Sequence, residues 1–123
     1  MRLLTIPLLA ILTLSTASNA QSYRTKQGEW RCQDPAALIR LRQPDLVDDS
    51  PRAMQIVVSG QCSPSGGFFA PVAGWNAIKD DGPLVYLCAR LEAYGVECGD
   101  VFRDSLIDMA GNPAQTIVVR QLP

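Results

Sequence analysis

A chain of 123 residues, 47% apolar and with eleven Lys and Arg against twelve Asp and Glu, is long enough for one modest core and too short for two. The near-balanced charge carries no basic tract, so a phosphate backbone has nothing to bind and nucleic acid is excluded as an expected partner. Histidine is absent, which removes the commonest general base and the commonest metal ligand together.

In chain order, Arg2 is followed by an apolar run over residues 3–14 and by small residues at Ser18, Asn19 and Ala20. This pattern predicts a secretory signal peptide over residues 1–20, cut before Gln21, because the apolar run is shorter than the roughly 20 residues a bilayer crossing needs. The mature protein is then expected in the periplasm or outside the cell, with no membrane insertion. With Arg2 removed, ten cations face twelve carboxylates. Residues 21–27 are polar and aperiodic, a flexible leader, and residues 28–123 form a single small β domain.

Within that domain Trp30 and Cys32 alternate with Glu29 and Arg31, as in a short half-buried strand. Asp34 and Pro35 could open a helix, but residues 36–42 read equally as helix or strand, and Pro44 ends either. Two prolines and three aspartates over residues 44–52 predict a solvated loop. The β-branched run 53–59, bounded by Pro51 and Gly60, predicts a strand, and 61–67 a turn cluster. Strand character resumes over 68–78, with Pro71 and Gly74 marking an edge, bulge or bend. Residues 79–82 form a tight turn, since Asp-Gly tolerates positive φ. Residues 116–122 close the chain as a last strand.

The organising stretch is 83–107. Two alternating apolar runs flank residues 92–95, with Cys88 and Cys98 equidistant from Ala93, which is the pattern of a β-hairpin. Facing Cys88 with Cys98 places Tyr86 opposite Asp100, Leu84 opposite Phe102, Leu87 opposite Gly99 and Val85 opposite Val101. Val85, Leu87, Ala89, Leu91 and Val101 then form an apolar face, and the cysteines lie on the other. Four cysteines in an exported domain predict two disulfides. Of the three connectivities, the hairpin symmetry favours Cys88–Cys98 and leaves Cys32 with Cys62. The whole reads as an all-β domain, a small barrel or sandwich of five to six short strands.

Catalytic constellations are missing. No thiol is expected free, no G-x-S-x-G accompanies Ser59, Ser63 or Ser65, and no Lys-Ser or Lys-Thr follows the glycine-rich 60–67. Asp48 with Asp49, and Asp80 with Asp81, are explained by a loop and a turn rather than by glycoside hydrolysis. Asp45, Asp48 and Asp49 lack the alternating spacing of a calcium loop, and Asp104, Asp108 and Asn112 are equally unspecific. No catalytic residue, no metal and no cofactor are expected. The candidate partner-binding residues are the aromatics Phe68, Phe69, Trp75 and Tyr94, although a domain this small needs Trp30, Trp75 and Phe102 for its core.

The order Leu38-Ile39-Arg40-Leu41-Arg42-Gln43-Pro44, a loop, 72–77, 83–90, then Gly95-Val96-Glu97-Cys98-Gly99-Asp100-Val101 ending at Leu106 resembles the bacterial SH3-like family. There an L-x-V-R-x-x-P segment opens the domain and a G-x-x-G-W-V segment closes it; Asp100 stands where the family has an aromatic residue. The resemblance, over residues 38–107, implies a five-stranded SH3-like barrel that binds peptides or cell-wall material without catalysis. The expected function is thus an exported binding module contacting a protein or cell-wall ligand. The alternative is a secreted inhibitor or immunity-type protein that blocks an enzyme through a loop such as 44–52.

Overall fold

A computed structural model describes residues 21–46, 48–66, 71–91, 95–114 and 116–120. The proposed signal peptide lies outside these residues. The chain is mainly β, in two antiparallel sheets. A two-stranded sheet pairs β1 (Tyr23–Thr25) with β7 (Leu106–Asp108), and a five-stranded sheet has the order β3-β2-β6-β5-β4. Its strands are β2 (Trp30–Cys32), β3 (Cys62–Pro64), β4 (Asn76–Asp81), β5 (Leu84–Leu91) and β6 (Gly95–Phe102).

The hairpin forms in the expected register: Tyr86 pairs with Asp100, Leu84 with Phe102, Val85 with Val101, Leu87 with Gly99 and Cys88 with Cys98. Both expected disulfides are present, Cys88–Cys98 across β5 and β6 and Cys32–Cys62 across β2 and β3. They join residues directly opposed in their ladders. Two disulfides belong to an oxidising compartment.

The two faces of the larger sheet are covered differently. On one, Val85, Leu87, Ala89 and Val101 are buried against Tyr23, Trp75 and Leu106 from the smaller sheet and its approach. Complete burial of Val, Leu or Phe contributes about 1.5–3 kcal/mol per side chain, so this layer is the main core. Arg31 joins it: its guanidinium lies 4.9 Å from the Trp75 ring centroid and donates to the Cys98 carbonyl at 2.6 Å.

On the opposite face sit two helices, α1 (Pro35–Leu41) and α2 (Ser50–Ser59). The first starts because the Asp34 side chain accepts a hydrogen bond from the Ala36 amide and Pro35 fits the first turn. Ala37 and Leu38 turn inward onto Cys32, beside Trp30, Leu41, Ile56 and Phe102. Arg42 follows the helix, stacks 3.7 Å from the Phe102 centroid and forms a two-point ion pair with Asp104. That pair holds the Asp104 carboxyl below its usual range.

Several expectations are corrected. Residues 36–42, open between helix and strand in the sequence, are helix through Leu41, with Arg42 as the C-cap. The run 53–59, expected as a strand, is the body of α2: Asp49 caps it by accepting from the Arg52 amide, Pro51 fits its first turn, and Ile56 and Val57 face inward. Capping and a partner helix override the β preference of Ile56-Val57-Val58. Residues 44–52, expected as a solvated loop, begin with a 3-10 turn (Pro44–Leu46) and end in α2, with Asp45 held between Arg40 and Arg52. The leader expected at 21–27 contains β1, whose Tyr23 is fully buried and hydrogen-bonds the Thr116 carbonyl. The turn expected at 79–82 lies at Gly82 and Pro83, with β4 extending to Asp81 and positive φ taken by Gly82 alone of the four. Of the closing strand expected at 116–122, the described part makes one bridge, Val119 to Ala77.

Candidate functional site

The helices pack on β2, β3 and β6, so the far end of that face is open. There the sheet forms a groove of about 530 Å³ floored by Leu84 and Tyr86 of β5, flanked by Asp100 of β6 and by Lys79 and Asp81 of β4, and overhung by Pro35 at the start of α1. The hairpin register puts Asp100 beside Tyr86. A bulge in β4 completes the row: the pairing shifts between Ala77 and Lys79, so Lys79, not Ile78, stands opposite Tyr86. Bulges re-aim side chains in this way. Asp81, two residues on, shares the face of Lys79 and pairs with Leu84.

Charge within the groove is unevenly compensated. Lys79 reaches Asp81 at 3.5 Å. Asp100 has no hydrogen bond or salt bridge from a described side chain. Partial burial pushes the Asp100 carboxyl above its usual range, the Asp81 charge raises it further, and Lys79 offsets part of the effect. The arrangement offers a half-buried anion beside an aromatic ring, with an apolar floor.

Of the expected binding aromatics, Trp75 is described and does not line this groove. Phe68, Phe69 and Tyr94 lie outside the described residues. Trp75 is 2% exposed and its indole Nε1 donates to the Ser65 carbonyl at 3.2 Å, so it is a core residue. The carboxylates considered earlier have structural duties: Asp49 caps α2, Asp80 pairs with Arg103, and Asp108 accepts from the amides of Ala110 and Asn112. Among the described residues no cluster of three or more acidic or thiol ligands could hold a metal ion. The outer side of α2 exposes Met54 and Val58, an apolar strip bordered by Gln55 and Ser59 and without a charged group in its lining.

Tyr86 and Asp100 were adjacent in the register that the cysteines imply, and that was the available signal. Lys79 and Asp81 were not legible, because the bulge that turns them into the groove has no mark in the sequence at Ile78. What fold and groove define is a small disulfide-stapled β domain with an open, anionic recess among its described residues. No family model matches the chain, and no curated protein or solved structure matches it at a significant level.

Proposed function

We propose that this is an exported, non-catalytic binding module, periplasmic or secreted, that engages a protein partner through the groove over Tyr86. The role is the one implied by the resemblance to the bacterial SH3-like family, ligand binding without chemistry. The observation that carries the reading is Asp100: a half-buried carboxylate without a hydrogen bond or salt bridge from any described residue, on the part of the helix-bearing face that the helices leave uncovered. A group of this kind lowers stability in the free protein and gains a partner only when something enters the groove. A binding role also fits a site with one unevenly compensated anion and no nucleophile beside it.

The test is chemical cross-linking of the mature protein in periplasmic extract, together with co-sedimentation on purified cell-wall sacculi, each repeated with Tyr86→Ala. Retention by a specific protein that Tyr86→Ala abolishes is the expected result. Retention on sacculi alone moves the ligand to the cell wall. Equal retention of wild type and Tyr86→Ala in both assays removes the groove from the proposal.

A further inference from the structure

Resting on that reading, we infer that the groove recognises an arginine side chain presented by an exposed segment of the partner protein, with the guanidinium stacked on Tyr86 and hydrogen-bonded to Asp100. Three features point to that chemistry. First, the row across β4, β5 and β6 reads Lys79, Tyr86, Asp100, so neighbouring side chains of the row stand about 5 Å apart on one face. A planar cation lying on the phenol ring comes within hydrogen-bonding reach of Asp100 on one side.

Second, the charges are arranged to admit a cation at one end only. The ammonium of Lys79 pairs with Asp81, which leaves Asp100 as the groove carboxylate without an ion pair among the described residues. An anionic ligand would meet that carboxylate at close range, and a neutral one could donate a hydrogen bond to it without balancing its charge.

Third, the floor and overhang are apolar, Leu84 below and Pro35 above. Arginine suits such a place better than lysine, because its guanidinium is weakly hydrated, stacks on aromatic faces and offers paired donors to a carboxylate. This protein already uses the same pattern internally: Arg42 stacks on Phe102 while making a two-point contact with Asp104.

The test is a titration of the ¹⁵N-labelled mature protein, followed by amide chemical shifts, with three capped tripeptides: Gly-Arg-Gly, Gly-citrulline-Gly and Gly-Glu-Gly. Citrulline keeps the shape of arginine and removes its charge. The expected result is saturable shifts at Lys79, Leu84, Tyr86 and Asp100 with the arginine peptide, at least about threefold weaker with citrulline and absent with glutamate. Asp100→Asn should weaken the arginine peptide about threefold to tenfold and leave its weak citrulline affinity unchanged. Equal affinity for arginine and citrulline overturns the inference, as do shifts confined to another surface. So does a response to a soluble stem peptide with a free amine and none to the arginine peptide. Cross-linking that depends on Tyr86 but is indifferent to Asp100→Asn would leave the binding module standing and remove its arginine specificity.

Discussion

Asp100 stands directly opposite Tyr86 in the ladder between β5 and β6, and burial raises its carboxyl above the usual range while Lys79 attends to Asp81. The sign of the resulting stability term follows. A carboxyl whose folded value exceeds its unfolded one is disfavoured as an anion, so the native state is penalised at every pH above the folded value. The penalty shrinks as pH falls through that value and is gone below the unfolded value, about 3.9. Asp100→Asn is therefore expected to stabilise the protein at pH 7. Because water reaches much of the side chain and screens the effect, the gain should stay below about 1 kcal/mol. Urea denaturation of both proteins from pH 3 to pH 8 checks it: the advantage of the variant should disappear at the acid end. A variant less stable than wild type at pH 7 would mean that Asp100 makes a favourable contact in the free protein.

Gly60 caps the end of α2 and lies against Ala37 of α1. A Cβ placed there would lie 2.3 Å from the Ala37 Cβ and 3.0 Å from the Ile56 carbonyl oxygen. Since φ at this residue is −85°, any residue could adopt the backbone, and contact alone demands glycine. Gly60→Ala is expected to cost about 1–3 kcal/mol by prising α1 from α2. Ser59→Ala, one residue earlier and exposed, should stay within about 0.5 kcal/mol. Thermal unfolding of the two variants side by side makes the comparison, and equal midpoints would show that the helices separate without cost.

These helices also mark the limit of what was legible in the sequence. The hairpin could be read pair by pair because Cys88 and Cys98 pin a two-residue periodicity, and a one-residue slip would have buried the wrong face. Residues 53–59 could not, because Ile56, Val57 and Val58 carry strand propensity and the decision is made by Asp49 at the cap and by the surface of α1. The alternation puts Arg31 on the side opposite Trp30 and Cys32, and that side is the main core. The cation is accommodated by Trp75, which arrives from 44 positions later and was itself expected as a packed or presented aromatic. The groove was half legible: Tyr86 and Asp100 followed from the register, and the β4 bulge that adds Lys79 and Asp81 did not.

The two disulfides hold different things. Cys88–Cys98 closes a separation of 10 residues inside a hairpin already tied by eight paired positions, whereas Cys32–Cys62 closes a separation of 30 that contains both helices. On the loop-closure model the bonds contribute about 3 and about 4 kcal/mol. Replacing Cys88 and Cys98 together by alanine should lower stability and leave the secondary structure intact. Replacing Cys32 and Cys62 should cost more and also release β3, a three-residue edge strand, with loss of helical signal. Circular dichroism and urea midpoints of the two double variants check the order. A larger loss of helix in the hairpin variant would contradict it.

Arg31 tests whether its charge or its bulk matters to the core. Its side chain is 6% exposed, its Nε has no hydrogen-bond partner, and burial pulls its pKa down while Glu97, 3.3 Å away, pulls it back. Glu97 is 38% exposed, so removing the guanidinium returns that carboxylate to water rather than stranding it. Gly99 lies beneath the arginine stem: a Cβ there would meet the Arg31 Cγ at 2.7 Å, so the stem fills space that nothing else occupies. Arg31→Met keeps most of that volume against Trp75 and abolishes the unsatisfied Nε, and it is expected to fall within about 1 kcal/mol of wild type. Arg31→Ala empties the site and should cost about 2–4 kcal/mol. Urea midpoints at constant slope measure both. If methionine lost as much as alanine, the bond to the Cys98 carbonyl and the pairing with Glu97 would be what holds β2 against β6, and the stem would be incidental.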